Sequence, residues 1–246
     1  MSNSTDNSLQ ALYPFLHGDK KDAASENAAL LESIRQKSQH SLDIKQQFFA
    51  NNGQALIETA RAVARVYLNK GRIFTMGNGG SSCDAAHFAV EFQHPVTTGR
   101  PALPAMNLCV DTAMISAVSN DIGVQHIFVR QLNAHARAGD GVVGFSTSGN
   151  SDNLMAGYRK ARELGLVCIG FAGGTGNNMG GEMKNSGLLD HCLVVETDSI
   201  HRVQEVHVAC YHILWDLVHT LLADQRGRLA EDPNSRTNSH NEETLS

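Results

Sequence analysis

The amino-acid sequence predicts an α/β fold, a three-layer α/β/α sandwich with a five-stranded parallel sheet in the middle. Five short runs rich in apolar residues follow one another along the chain, and stretches with helical spacing separate them. The runs are nearly continuous in apolar residues rather than alternating, which is typical of parallel strands covered on both faces. The predicted strands are residues 72–76, 103–110, 141–146, 166–172 and 191–196.

Helices are predicted before, between and after these strands. Residues 28–68 contain no proline and repeat apolar residues with helical spacing, while Asn51-Asn52-Gly53 predicts a break, so an N-terminal helical pair is expected. A long C-terminal helix is predicted over residues 200–223. The ends are polar, which predicts an N-terminal extension over residues 1–27, one domain over 28–225 and a disordered tail over 226–246.

Composition excludes several classes of protein. The 246 residues are 41% hydrophobic and carry a formal charge of −5, which disfavours direct binding to nucleic acid through a basic surface. No run approaches the roughly 18 uninterrupted apolar residues that a membrane span needs, and the first ten residues lack a secretory signal. The five cysteines are scattered without a Cys-x-x-Cys pair. A soluble cytoplasmic protein with reduced thiols is expected.

A glycine-rich loop follows the first predicted strand. Gly77, Gly79 and Gly80 flank Asn78, and Ser81 comes directly after them. Such a loop lets the backbone turn tightly and approach a ligand at the start of a helix. The spacing matches neither the dinucleotide fingerprint nor the nucleoside-triphosphate loop. By itself the loop is better explained as a tight turn between a strand and a helix.

A second loop, rich in hydroxyl groups, follows the third predicted strand. Its six residues are Ser146, Thr147, Ser148, Gly149, Asn150 and Ser151. Hydroxyl groups and backbone N–H groups at the start of a helix form a neutral cradle for a phosphate monoester. Helix capping is the alternative, but one capping residue suffices for it and this loop has four hydroxyls. The loop therefore predicts a phosphate site.

Two helices carry residues suited to proton transfer or metal binding. His87 and Glu91 are four residues apart and share one face of a predicted helix, while Gln204 and His212 lie on the C-terminal helix. Glutamate and histidine transfer protons near neutral pH, and two histidines with a glutamate also suit Zn²⁺. Spacing alone favours a third interpretation, because a His–Glu pair at this spacing is more often a solvated contact, or one that only supports a ligand, than a ligand pair.

Four segments together resemble one family. They are GNGGSSCDAAHFAVEF, SNDIGVQHIF, GFSTSGNSDNL and HRVQEVHVACYHIL, and they occur in family order between about residues 28 and 223. The chain resembles the sugar isomerase (SIS) domain proteins, a flavodoxin-like fold, and among them the sedoheptulose 7-phosphate isomerases. The resemblance implies a homotetramer that converts D-sedoheptulose 7-phosphate to D-glycero-D-manno-heptose 7-phosphate through a cis-enediol.

The resemblance also implies roles for individual residues. Glu91 and His212 would be the catalytic base and acid, and one Zn²⁺ per subunit would be bound by His87, Glu91, Gln204 and His212. Substrate contacts would come from Asn78, Gly79, Ser81, Asp121, Ser146, Thr147, Ser148, Ser151 and Gln204.

Two departures from the family pattern border the predicted site. Pro95 stands where relatives usually have an arginine, and His201 stands where some have an aspartate. The preferred sugar could therefore differ, which keeps open an isomerase of another sugar phosphate. A non-catalytic SIS protein that binds a phosphosugar or a protein partner is the remaining alternative, and the complete His/Glu/Gln/His set argues against it.

Overall fold

A computed structural model describes residues 23–231, with side chains as far as residue 224. Its five strands form one sheet in the order β2-β1-β3-β4-β5, and every neighbouring pair is parallel. The strands are β1 Ile73–Gly77, β2 Ala105–Asn107, β3 Gly141–Ser146, β4 Val167–Gly174 and β5 His191–Glu196. The predicted fold class is confirmed, and β3 and β5 have the predicted bounds.

Strand β2 is much shorter than predicted. It has three residues, whereas the sequence pattern indicated residues 103–110. Pro101 and Pro104 precede it and lack the N–H group that a strand donates. The Pro104 carbonyl still accepts a hydrogen bond from the Ile73 N–H at 3.1 Å. β2 lies at an edge of the sheet, where such short pairing is tolerated.

The helices cover both faces of the sheet. They are α1 Ala23–Leu68, α2 Gly80–Gln93, α3 Thr112–Asp121, α4 Ile127–His135, α5 Asp152–Glu163, α6 Gly181–Asn185 and α7 Ile200–Glu231. Short 3₁₀ turns lie at Val124–His126 and Gly176–Asn178.

The predicted N-terminal helical pair is wrong, because α1 is one helix of 46 residues. The Asn52 amide donates to the Phe48 carbonyl at 2.9 Å, so its polar group is satisfied along the helix. Gly53 costs helix stability without forcing a break, since a glycine within a helix loses only about 1 kcal/mol relative to alanine. A local turn signal is therefore outweighed by packing on the C-terminal half of α1, where Leu56, Ala60 and Val63 are buried.

The apolar core is divided by the sheet into two layers. One layer packs α2, α7 and the part of α1 beyond Ile44 against inward side chains such as Phe145 and Phe171. The other packs α3, α4 and α5 against Phe74 and Met76. Phe74 and Ile73 are neighbours that enter opposite layers, as the two-residue period of a strand requires.

Two compact units divide the chain between Asp43 and Ile44. The described part of the first unit is helical and mostly exposed, and Arg35 pairs with Glu32 on its surface. The second unit contains the sheet and the core. The predicted domain limits of 28 and 225 stay predictions.

Helix α7 is longer than predicted. It continues past residue 223 to Glu231, so the segment predicted to be disordered begins as helix, and residues 232–246 lie outside the described part. Within the described residues, Ile200–Asp224 is the segment apolar and long enough to cross a membrane. Half of it is buried inside the protein, as in the core helix of a globular domain.

Candidate active site

Three glycines determine the shape of the loop between β1 and α2. A Cβ at Gly77 would come within 2.2 Å of the Ser81 carbonyl oxygen. Gly79, the N-cap of α2, has φ +53°, which favours glycine. A Cβ at Gly80 would come within 2.2 Å of Gln204 Nε2. The glycines therefore bring the start of α2 close to α7.

Helices α2 and α7 bring two imidazoles and a carboxylate together. His87 Nε2 lies 3.0 Å from Glu91 Oε1, and His212 Nε2 lies 3.8 Å from the same oxygen. The rings of His87 and His212 have centroids 4.9 Å apart. His87 and Glu91 share a face of α2 as predicted, and His212 reaches that face from α7.

The electrostatics of this His87–Glu91–His212 cluster favour a neutral His212. Burial lowers the pKa of His212 below its ordinary value of 6.5, His87 lowers it further, and Glu91 opposes both. One turn before His87, burial raises the pKa of Asp84 to about 6. The His87 and His212 side chains are 42% and 43% exposed, so a ligand can reach them.

Three of the four predicted metal ligands form a compact donor set. One donor atom from each of His87, Glu91 and His212 can be chosen so that all lie within 4.8 Å of one another. Ligand atoms around a tetrahedral zinc lie roughly 3.3 Å apart, so the set fits after small side-chain movements. The fourth predicted ligand, Gln204, contacts α2 at Gly80, about two turns before His87.

The hydroxyl-rich loop is held by its own hydrogen bonds. Ser146 Oγ accepts from the Gly149 N–H at 3.1 Å and lies 3.1 Å from Ser151 Oγ. Ser151 occupies the N-cap position of α5 but makes no side-chain capping bond. Gly149 has φ +67°, and a Cβ there would come within 2.1 Å of the Gly180 carbonyl oxygen. These hydroxyls are therefore not used for capping.

An amide pair joins this loop to the glycine loop. Asn78 and Asn153 donate to each other through their side-chain amides, both at 2.8 Å. Both residues line a cavity of about 710 Å³, together with Ser151, His126 and Arg159. The two loops that were predicted separately thus border one cavity at the carboxyl ends of β1 and β3.

The other predicted substrate contacts are distributed unevenly. Ser81 is buried in the first turn of α2, while Thr147 is half-buried and Ser148 is exposed on the hydroxyl-rich loop. Asp121 ends α3 and lines a different cavity of about 380 Å³ beside Met114 and Arg130. Within the described chain, Asp121 is not brought to the cavity of Asn78 and Ser151, and its role in binding stays a prediction.

Sequence reasoning missed three residues that hold this site. Tyr211 places its hydroxyl 2.7 Å from His87 Nδ1, and Trp215 donates from Nε1 to the Glu91 carbonyl at 2.8 Å. Asn153 is the third, through its amide pair with Asn78. Tyr211 and Trp215 look like apolar core in the sequence. Only their four-residue spacing on the helix of His212 could have suggested a shared face.

The sheet is parallel, a glycine loop follows β1 and a hydroxyl loop follows β3. These features are the basis for assigning the class of protein. A family profile described as "SIS domain" matches residues 38–173, so the chain is a SIS-domain protein. This match covers β1 to β3, both loops, and β4 as far as Gly173.

Curated relatives and solved structures identify the branch of SIS-domain proteins to which the chain belongs. A phosphoheptose isomerase from Desulfovibrio desulfuricans is 37% identical over 83% of this chain and 94% of its own length. A structure of a phosphoheptose isomerase from Francisella tularensis has a TM-score of 0.72 and 30% identity, covering 77% of this chain and 98% of that one. The Neisseria gonorrhoeae enzyme has a TM-score of 0.71 and 32% identity, covering 78% and 99%. The chain belongs to the phosphoheptose isomerase family.

Proposed function

We propose that this protein is an aldose–ketose isomerase that converts D-sedoheptulose 7-phosphate to D-glycero-D-manno-heptose 7-phosphate through a cis-enediol. The observation that carries the proposal is Glu91 Oε1 lying 3.0 Å from one imidazole nitrogen and 3.8 Å from another. Family membership supplies the substrate, since relatives named phosphoheptose isomerase match most of the chain.

Glu91 is the proposed carbon base. Its carboxylate takes the proton from C1 of the ketose and returns it to C2, so one group serves both half-reactions. Glu91 is only 19% exposed at its side chain, which limits competition from water. The Trp215 N–H holds the Glu91 backbone from the neighbouring helix.

His212 is the proposed carrier of the hydroxyl proton. As the enediol forms and collapses, one proton leaves the oxygen on C1 and another joins the oxygen on C2. A neutral imidazole can accept the first and donate the second. Burial lowers the pKa of His212, which keeps its ring neutral and able to accept a proton at neutral pH.

The hydroxyl loop is the proposed phosphate anchor. Ser146, Thr147, Ser148 and Ser151 offer hydroxyl donors, and the N-terminus of α5 adds free N–H groups. The cavity lined by Asn78 and Ser151 supports placing the sugar between the two loops. Gly79 and Ser81, which follow Asn78, are further proposed contacts. Gln204 is a further proposed contact, whereas Asp121 lines a separate cavity and its contact with substrate stays a prediction.

Zinc is the proposed cofactor. His87, Glu91, Gln204 and His212 would hold it, and two imidazoles with a carboxylate are a donor set that Zn²⁺ uses. When bound, the ion supplies positive charge that polarises the substrate carbonyl.

A cytoplasmic homo-oligomer, specifically a tetramer, is the proposed assembly. In the first unit, Leu30, Leu31, Ile34 and Leu42 are all exposed. At 100° per residue they fall within an arc of roughly 120° on α1, a stripe that a second copy could cover. In the second unit, the exposed edges of His87 and His212 leave the cluster open to a neighbouring subunit.

Isomerase assays on a panel of sugar phosphates, with elemental analysis of the purified protein, test the proposal. Turnover of the heptulose phosphate with about one zinc per chain supports it. Turnover of only a different sugar phosphate would change the proposed substrate. It would also implicate Pro95 and His201 in the preference for that sugar. No turnover of any sugar, in protein that contains zinc, would favour the non-catalytic binding alternative.

A further inference from the structure

The His87 ring is held at both of its nitrogens. Nε2 faces Glu91 Oε1 at 3.0 Å, and Nδ1 faces the Tyr211 hydroxyl at 2.7 Å. Glu91 belongs to the proposed chemistry, whereas Tyr211 contacts His87 at the ring nitrogen that Glu91 does not contact.

Hydrogen-bond chemistry assigns the proton on each side of the ring. An ionised carboxylate can only accept, so the 3.0 Å contact requires the His87 proton on Nε2. Nδ1 is then an acceptor, and the Tyr211 hydroxyl is its donor. The hydroxyl can also accept, so it can remain bonded if the ring proton moves to Nδ1. A phenylalanine at this position could do neither.

Packing fixes the position of this hydroxyl. Tyr211 is only 1% exposed, and its ring contacts Phe88 and Phe145 edge-on with centroids 6.2 Å and 5.9 Å away. Its ring also lies 4.9 Å from that of His212, the next residue on α7. The Tyr211 hydroxyl therefore has a fixed position beside the His87 ring.

We propose that Tyr211 is a positioning residue: its hydroxyl fixes the orientation of the His87 ring and bonds to Nδ1 in either tautomer, so that Nε2 stays directed at Glu91 and at a divalent cation. The cation part rests on the zinc site proposed above. A histidine that binds a metal through Nε2 carries its proton on Nδ1 and donates it to a neighbouring acceptor, which here would be the Tyr211 oxygen. Metal binding would thus move the ring proton from Nε2 to Nδ1.

Tyr211→Phe tests this, with Tyr158→Phe as the matched control. Tyr158 is also fully buried and donates to the Ile169 carbonyl at 2.6 Å, in the other core layer. Chelator competition should show zinc bound roughly 10- to 100-fold more weakly by Tyr211→Phe than by wild type. Tyr158→Phe should bind zinc like wild type. Equal zinc affinity in wild type and Tyr211→Phe would overturn the proposal.

A second measurement needs neither zinc nor turnover. Nitrogen-15 NMR of zinc-free wild-type protein should show the His87 proton on Nε2 and an Nδ1 that accepts a hydrogen bond, and in Tyr211→Phe the Nδ1 signal should shift to that of a nitrogen without a hydrogen bond. If wild type lacks zinc or activity, the proposed function fails while this readout still decides the role of Tyr211. If Tyr211→Phe does not fold, an Nδ1 without a hydrogen bond in wild type alone would overturn the proposal.

Discussion

The two halves of the site are built in different ways. The hydroxyl loop takes its donors from six consecutive residues, and bonds such as Gly149 N–H to Ser146 Oγ form within it. The acid–base cluster takes its groups from α2 and α7, where Tyr211 and His87 meet across 124 residues of sequence. The loop thus depends on local backbone conformation, whereas the cluster depends on how two helices pack.

This difference predicts different responses to damage. A change of side chain in the cluster should affect proton transfer, while a change of backbone in the loop should affect substrate binding. A change that weakens the packing of α7 on the sheet should affect the cluster by lowering the free energy of unfolding.

Glu91→Gln should lower kcat by roughly a thousandfold with KM little changed, because the amide keeps the shape of the carboxylate but cannot take a proton. Steady-state kinetics on the heptulose phosphate measure both constants. Glu58→Gln, an exposed glutamate on α1, is the control and should behave like wild type. Full activity in Glu91→Gln would remove Glu91 from the base role.

Acid should destabilise the packing of α7 through His207. This residue is 1% exposed and lies 3.1 Å from the Ala172 carbonyl of β4, and burial lowers its pKa from 6.5 to about 4. In the unfolded chain His207 takes up a proton near pH 6.5, whereas in the folded protein it does so only near pH 4. Stability is therefore complete above pH 6.5 and falls by roughly 3 kcal/mol as the pH drops to 4.

Urea unfolding of wild type and His207→Gln at several pH values measures this effect. The variant should be less stable at pH 7 but should lose less stability between pH 6.5 and 4. His201→Gln, an exposed histidine on the same helix, should keep the wild-type pH dependence. Parallel curves for wild type and His207→Gln would contradict the assignment.

Gly149→Ala should raise KM by roughly tenfold or more with a smaller change in kcat. Alanine at φ +67° costs about 1–2 kcal/mol, and its Cβ would come within 2.1 Å of the Gly180 carbonyl oxygen, so the loop must shift. Gly187→Ala is the matched control, because Gly187 has φ +71° with no atom within 4 Å of a Cβ. An equal rise in KM in both variants would show that the loop shape is not what binds substrate.

Features encoded within short segments were predictable from the sequence. The bounds of β3 and β5, the hydroxyl loop and the shared face of His87 and Glu91 all follow from the order of neighbouring residues. Signals that depend on context failed. Asn52 and Gly53 indicated a break in α1, yet burial of the helix beyond them keeps it continuous. Pro104 delays the start of β2 relative to the predicted residue 103, because a strand needs N–H donors.

The sequence by itself determined the fold class, the glycine loop and the hydroxyl loop, and residue types that suit acid–base chemistry, because strand and helix periods and loop composition are local properties. Only the tertiary structure decided that Glu91 stands between His87 and His212, that Asn78 pairs with Asn153, and that Tyr211 holds the back of the His87 ring. Those contacts join segments far apart in the chain. Their distances are set by how α2 and α7 pack on the sheet, which no local pattern encodes.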